Sequence, residues 1–148
     1  MATEVRFYHL TRQSLEQALP ALLEKTLERG WRAILRGPDA ERLSALDNWL
    51  WTYSDNGFLP HAIQGDGPDA EQPLLLTTED VNPNGANVLF LLDGLTESAH
   101  AYDLICLVFS GGDEAAVNAA RAAWAKYKDA GASLTYWQQG DRGWEKKA

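Results

Sequence analysis

Short apolar runs alternate along the chain with longer segments in which apolar residues recur about every third or fourth position. The runs are typical of strands buried on both faces, and the recurrent positions are typical of amphipathic helices. The predicted strands are VRFYHL (5–10), WRAILRG (31–37), PLLLTT (73–78), NVLFLLDG (87–94), LICLVFSGG (104–112) and a final extended SLTYWQQ (133–139). This alternation predicts a three-layer α/β/α single domain over residues 1–148, with a mostly parallel central sheet.

Three helices are predicted between these strands. Ser14 is the N-cap of the first and Gly30 ends it, and the second starts near Asp39. The third runs from about 113 to 130. At about 100° per residue, one side of this helix presents small apolar residues and one tyrosine that we expect to press against the sheet. These are Ala116, Ala120, Ala123 and Tyr127.

The segment after the second helix combines loop signals with large apolar residues. It is rich in glycine, proline and aspartate, and GDGPDA (65–70) is predicted to be a turn that no strand precedes. Yet it contains Phe58, Leu59 and Ile63, and it directly follows Trp51. Connecting segments usually run over the surface and are polar. The apolar residues in this one therefore need an explanation.

The charge of the chain argues against direct binding of nucleic acid. The 148 residues carry a net charge of −8, and there is no lysine or arginine between Arg42 and Arg121. Residues 1–114 hold seven basic and eighteen acidic groups, whereas residues 115–148 hold six basic and three acidic groups. A protein that clamps DNA needs cations over much of its footprint. This distribution permits only a local site for an anion or an acidic peptide near the carboxyl end of the chain.

No apolar run approaches the roughly 20 residues that span a membrane. The N-terminal MATEVRFYHL has no signal-peptide architecture. The single cysteine, Cys106, cannot form an internal disulfide, which agrees with a reducing compartment. We therefore expect a cytoplasmic protein that makes no use of a membrane.

The sequence contains no recognisable set of catalytic or metal-binding residues. The segment after the first strand, HLTRQS, has no glycine that would let the backbone approach a phosphate, and no GxxxxGK[ST] motif occurs. His9, His61 and His100 are far apart and show no metal-ligand spacing. We predict no catalytic residue, no metal and no cofactor. His9 is expected to be packed or hydrogen-bonded, and His100 is expected to lie on a surface helix.

A small α/β enzyme acting on a nucleotide or acyl substrate is the alternative from another functional class. Its chemistry would have to come from Cys106, Ser110 or loop carboxylates such as Glu79, Asp80 and Asp93. Cys106 lies within LICLVFS and is expected to be a small buried hydrophobic residue. Ser110 belongs to FSGG, which lacks the GxSxG pattern and is expected to be a strand-end turn.

Two motifs resemble a known family, the chi subunit of bacterial DNA polymerase III. LDxxLW followed by FxPHxxxGxGP is present as Leu46-Asp47, Leu50-Trp51, Phe58, Pro60-His61, Gly65, Gly67 and Pro68. RxxWxxYxxAG is present as Arg121, Trp124, Tyr127, Ala130 and Gly131, and Phe7-Tyr8 fits near the N-terminus. The resemblance covers almost the whole chain. It implies a nucleotide-binding-like α/β/α fold without a phosphate-binding loop.

The resemblance also implies a function without catalysis. Chi subunits act in the clamp-loader part of the replicase, where they bind the acidic C-terminal tail of single-stranded DNA-binding protein. In some bacteria they also bind the small psi subunit, which joins them to the clamp loader. A structural subunit with only the psi-like contact is a further possibility. Trp51, Phe58, Pro60 and Ile63 match positions at which the family contacts psi, although Phe58 could instead cover the sheet and His61 could fix the loop.

For the tail site, the third helix offers a stripe beside its alanine face. Val117, Arg121, Trp124 and Lys128 fall within about 60° of one another. A peptide with acidic residues, an aromatic ring and a free carboxylate needs a pocket for the ring and a guanidinium for the carboxylate. The family motif often continues with a lysine where Ala125 stands, so Lys126 or Lys128 would have to replace it. The alternative is that Trp124 belongs to the core and Arg121 is merely solvated.

Overall fold

The computed structural model describes residues 3–53 and 59–148. In chain order the elements are β1 (Glu4–Leu10), α1 (Leu15–Glu28), β2 (Ala33–Arg36), α2 (Ala40–Thr52), β3 (His61–Ile63), a 3₁₀ turn (Asp69–Glu71), β4 (Leu74–Thr77), β5 (Val88–Leu92), β6 (Leu104–Ser110), α3 (Glu114–Asp129), β7 (Ser133–Gly140) and β8 (Gly143–Lys146). None of the described helices is long and apolar enough to cross a membrane.

The eight strands of the described residues form one sheet, in the order β3-β4-β2-β5-β6-β1-β7-β8. Every pair is parallel except β7 with β8. The prediction of a mostly parallel sheet between helices is therefore confirmed. Parallel strands buried on both faces explain why the strand sequences are apolar without alternation.

Two strands were missed from the sequence. β3 lies within the segment assigned to a loop, so the expectation that no strand precedes the GDGPDA turn is wrong. It has three residues, paired with β4 from His61 opposite Leu74, and a strand this short has no readable apolar pattern. β8 is mostly exposed and polar, and it forms because a two-residue turn folds it back onto β7.

The three predicted helix starts are confirmed by their caps. Ser14 accepts from the backbone N–H of Gln17, whose side chain accepts from the N–H of Ser14 in return. Asp39 and Asp113 cap α2 and α3 through their carboxylates. Such caps satisfy backbone donors that the first turn of a helix leaves unpaired. Gly30, just beyond α1, has a φ of 79°, which favours glycine.

The helices divide between the two faces of the sheet. α1 and α2 cover one face with leucines such as Leu19 and Leu46, and α3 covers the other. Ala116, Ala120 and Ala123 are buried against that second face, with Tyr127 half-buried beside them, as predicted. Small residues let α3 approach the sheet closely, and larger side chains at its margins remain at the surface.

Candidate protein-interaction surfaces

Open α/β sheets bind nucleotides at a topological switch point, and in this protein that point lies between β1 and β6. α1 follows β1 on one face, and α3 follows the neighbouring β6 on the other. The carboxyl ends of β1 and β6 therefore flank the topological switch point, where open α/β sheets bind ligands. The backbone N–H of Gly111 donates to the carbonyl of Leu10 at 2.7 Å across this point. A Cβ at Gly111 would lie 2.4 Å from Nε2 of His9, so a larger residue there would require the imidazole to move.

The side chain of Gln139 binds the backbone N–H groups that lead from β1 towards α1, which is the place where doubly wound nucleotide-binding folds hold a phosphate. Oε1 of Gln139 accepts from three successive backbone N–H groups, those of Thr11, Arg12 and Gln13, at 3.0–3.1 Å. Its amide nitrogen donates to Oε1 of Gln13 at 2.8 Å. Successive N–H groups ahead of a helix are the usual cradle for an anion. Here the cradle is filled from within the chain.

The three hydrogen bonds accepted by Gln139 should stabilise the folded protein, and this can be tested by substitution. We expect Gln139→Ala to lower the free energy of unfolding by about 1–3 kcal/mol, because three backbone donors lose a common acceptor. Gln139→Glu should recover most of this loss near neutral pH, because a carboxylate suits the same donors at the start of α1. Urea denaturation of the three proteins measures the difference. Equal losses in both variants would show that the three bonds do not carry the effect.

The structure shows the surroundings of the residues that would have to carry an enzymatic reaction. Cys106 is buried in β6, and burial raises its pKa to about 12, so it remains a thiol. Ser110 accepts from the N–H of Gly112 in a strand-end turn, as expected. Asp80 and Asp93 face different arginines, and Glu79 accepts from a glutamine. Within residues 3–53 and 59–148, no three His, Cys, Asp or Glu side chains are grouped to hold a metal.

The stripe predicted on α3 adjoins two residues from the sheet. The Trp124 ring lies 5.3 Å from that of Phe7 and 6.1 Å from that of Tyr136, measured between centroids. Nδ1 of His9 is 2.8 Å from the hydroxyl of Tyr136. Arg121 is exposed on α3 and close enough to affect both. We call this surface the α3–β7 patch; its residues are Val117, Arg121, Trp124, His9 and Tyr136.

Charge and burial act together in the α3–β7 patch. The pKa of His9 is lowered, mainly by burial and further by the positive charge of Arg121. Burial raises the pKa of Tyr136, an effect that Arg121 partly opposes. The patch thus combines a guanidinium at the surface with a neutral, half-buried aromatic cluster. Sequence reasoning missed His9 and Tyr136, because only the pairing of β1 with β7 brings them to α3.

The other residues of the predicted tail site differ in burial and in ion pairing. Val117 is half-buried and packs at the edge of the α3 core. Lys126 is exposed but forms an ion pair with Glu97. Lys128 is exposed at the end of α3, with no ion pair among the described residues. Of the two lysines suggested as replacements at Ala125, Lys128 is therefore the one without a competing carboxylate in the described part of the chain.

The second predicted surface is organised by His61. Its side chain is fully buried; Nδ1 lies 2.5 Å from the carbonyl of Leu59, and Nε2 lies 3.2 Å from Oδ1 of Asp47. These contacts confirm that His61 fixes the segment through a backbone bond, and they identify the partners. The Trp51 ring lies over the imidazole with centroids 4.1 Å apart. His61 thus joins the end of α2 to β3 and orients Trp51.

Trp51 is the large hydrophobic side chain that stands out at the surface of the described residues, with 49% of its area exposed. Pro60 and Ile63 are half-buried nearby in sequence, and Ile63 packs partly against the α1–α2 side of the core. Phe58, the fourth predicted contact, lies outside the described residues. We call Trp51, Pro60 and Ile63 the Trp51 surface.

Comparison with known proteins decides the family. Residues 2–135 match the model of the family described as DNA polymerase III chi subunit, HolC. The chain belongs to the DNA polymerase III chi subunit family. It is also 33% identical over 85 residues to a protein of Rickettsia prowazekii (strain Madrid E) named "Probable DNA polymerase III subunit chi". That alignment covers 57% of this chain and 52% of the relative, so the chain spans about half the length of the curated relative it matches.

The chi family match contains the whole Trp51 surface and the α3 side of the α3–β7 patch. Tyr136 and Gln139 lie beyond residue 135 and therefore outside the matched part. The family assignment thus rests on the sheet through the start of β7. The Gln139 side chain at the switch point and the Tyr136 ring of the patch both belong to the segment after residue 135.

Proposed function

We propose that this chi-family protein is a non-catalytic accessory subunit that links the replicase to the C-terminal tail of single-stranded DNA-binding protein during DNA replication. The observation that carries the proposal is an exposed Arg121 beside the half-buried Trp124–Tyr136 cluster. Family membership supports the role in replication. The side-chain plug formed by Gln139 supports the absence of nucleotide chemistry.

The chemistry of an acidic peptide with an aromatic C-terminus fits the α3–β7 patch. The guanidinium of Arg121 would form a charge-assisted fork with the terminal carboxylate. The peptide ring would contact Trp124 and Val117, where aromatic contacts add to the burial of apolar area. Lys128, one helical turn from Trp124, would face the acidic residues that precede the ring. The basic excess of residues 115–148 favours the approach of such a peptide.

The proposed second contact of the protein is through the Trp51 surface, with a psi subunit or another clamp-loader subunit. An aromatic side chain that is half exposed and held in place by a buried histidine is a suitable interface anchor. Pro60 and Ile63 add apolar area beside it. The partner would complete the burial of Trp51.

Calorimetry with the cognate tail peptide tests the proposed function. We expect micromolar affinity that decreases with added salt, since ion pairs at the surface are screened. The same peptide with an amidated C-terminus should bind at least about tenfold more weakly, because the fork to Arg121 is lost. Equal affinity of the two peptides would contradict the assignment of the terminal carboxylate to Arg121.

Tail binding should be linked to protonation of His9. In the free protein, the charge of Arg121 helps to lower the pKa of His9 below its ordinary value of 6.5. A carboxylate on Arg121 offsets that charge, so the pKa of His9 rises in the complex. Binding therefore takes up a proton, and affinity should increase as the pH falls from about 7 towards about 5.

Calorimetry at pH about 6, in two buffers with different protonation enthalpies, measures this uptake directly. His9→Gln should remove the uptake, and His100→Gln, a change at an exposed histidine in a different loop, should preserve it. Uptake that persists in His9→Gln would assign the proton to another group.

The structure also corrects the expectation that His100 lies on a surface helix. His100 lies at the surface, but in an irregular segment.

Direct binding of DNA is not part of the proposal. The stretch from 43 to 120, which contains no lysine or arginine, includes four of the eight described strands, and several phosphate contacts are required for non-specific affinity. We expect no binding of single-stranded or duplex oligonucleotides at physiological salt in fluorescence polarisation. Micromolar binding to a bare oligonucleotide would overturn this expectation.

A further inference from the structure

A cationic cleft lies on the α1 face of the sheet, opposite the face that α3 covers. Its floor consists of buried side chains from three adjacent strands, among them Tyr8, Phe90 and Cys106. Arg6 from β1, Lys25 from α1 and Arg29, the C-cap residue of α1, also line it. Lys25 and Arg29 are four residues apart, so they point to the same side of the helix. The cleft has a volume of about 60 Å³.

The convergence of three cations is notable because residues 1–114 hold only seven basic groups against eighteen acidic ones. Three other arginines of this region pair with carboxylates, Arg12 with Asp141, Arg36 with Asp80, and Arg42 with Glu16 and Asp93, while Arg32 donates to the backbone carbonyls of Ala70 and Asn84. Arg6 is shared with Glu4 at 3.3 Å. Among the described residues, Lys25 and Arg29 form no ion pair. The cleft thus retains two cations without a carboxylate partner in the described structure.

A neutral donor adds to the cations. The Tyr8 hydroxyl lies close enough to the Arg6 guanidinium for each group to influence the pKa of the other. Burial raises the pKa of Tyr8, so its O–H group is kept. Tyr8 is 8% exposed, and its side chain is among those that line the cleft. Its hydrogen is therefore available to a ligand in the cleft.

The size of the cleft limits the ligand. One water-sized group requires roughly 10–15 Å³ of cavity volume. A cleft of about 60 Å³ therefore accommodates about four to six groups of that size. A phosphate group has this size, and guanidinium, ammonium and hydroxyl donors are the groups that bind its oxygens. A larger acidic peptide would not fit within the cleft itself.

We propose that this cleft is a phosphate-binding site, formed by Arg6, Lys25, Arg29 and the hydroxyl of Tyr8. The phosphate can come from free inorganic phosphate or from a nucleoside monophosphate whose remaining atoms extend into solvent past Lys25 and Arg29. The site lies on the face of the sheet opposite to the α3–β7 patch and does not depend on the proposed tail binding. Both ligands can therefore be bound at once.

The test is a nuclear magnetic resonance titration of the full chain with inorganic phosphate, with sodium chloride adjusted to hold the ionic strength constant. We expect saturable shifts confined to β1 and the second half of α1. The double variant Lys25→Gln/Arg29→Gln should weaken binding at least about tenfold. Arg142→Gln, which removes an exposed cation from the β7–β8 turn, should leave it unchanged, as should Arg121→Glu.

Two further arms complete the experiment. A nucleoside 5′-monophosphate that shifts the same resonances, when the matching nucleoside does not, would identify a phosphate ester as the natural ligand class. Binding of inorganic phosphate alone would restrict the site to the free anion. Lys25→Glu alone guards against misfolding of the double variant and should also weaken binding at least about tenfold. Shifts that do not saturate, or that weaken equally in Arg142→Gln, would overturn the proposal.

Discussion

Replacing Arg121 with glutamate should abolish binding of the tail peptide of single-stranded DNA-binding protein. The change removes the guanidinium fork and places a carboxylate against the acidic ligand. Truncating one partner of a hydrogen-bonded charge pair costs about 2–5 kcal/mol, and like charges add to that loss. From micromolar affinity, such a change takes binding beyond the range of calorimetry. Arg121 is exposed, so thermal unfolding of the variant should remain close to that of the parent.

Arg142→Glu is the matched control, because it makes the same change of charge at an exposed position in the β7–β8 turn. A long-range effect of net charge would weaken binding in both variants, whereas a local fork affects Arg121 alone. Trp124→Ala should reduce affinity at least about tenfold, or ~1.4 kcal/mol. It should also lower stability, because the ring packs on Phe7. Unchanged binding in the Arg121 and Trp124 variants would move the site elsewhere.

Removing the Trp51 side chain should strongly weaken association with the clamp loader while leaving the fold largely intact. An aromatic anchor at the centre of an interface commonly contributes at least about 2 kcal/mol. About half of the area of the Trp51 residue is exposed in the isolated protein. Trp51→Ala should therefore lower the free energy of unfolding much less than truncation of a core residue would. The measurements are co-purification of clamp-loader subunits from the native host and thermal unfolding of the variant. Adding Phe58→Ala should make the loss of association complete.

Trp49→Ala should show the opposite pattern and is the natural comparison. Trp49 is half-buried, and its indole N–H donates to the carbonyl of Glu16, which ties α2 to α1. Its truncation should lower stability, yet leave partner binding intact wherever the protein remains folded. If instead Trp51→Ala loses several kcal/mol of folding free energy, Trp51 belongs to the core and the proposed interface is wrong.

Local sequence signals determined the regular elements of this protein. Ser14, Asp39 and Asp113 marked the starts of the three helices, because each side chain bonds to backbone groups only three residues away. The apolar runs marked six strands, because burial on both faces leaves few places for polar residues. The alanine face of α3 could be read from helical periodicity alone. These features depend on neighbours in sequence and required no knowledge of topology.

Only some of the residues in the candidate sites could be predicted from the sequence. Arg121 and Trp124 could be placed side by side because a single helix carries both. Phe58, by contrast, was predicted as a contact but lies outside the described residues, so its role stays a prediction. The partners of His61 could not be assigned from sequence, because one of its ring contacts, Asp47, belongs to a helix fourteen residues earlier.

Only the tertiary structure decided which distant residues meet. His9 reaches Tyr136, and Thr11 reaches Gln139, across 127 and 128 positions of the chain. Both contacts exist because β7 pairs with the edge of β1 that faces away from β6. The apolar runs of the sequence do not encode this strand order. The sequence by itself determined the elements and the family motifs. Strand order determined that Gln139 reaches the backbone N–H groups after β1 and that aromatic rings from two strands lie near Arg121, since pairing is a property of the whole sheet.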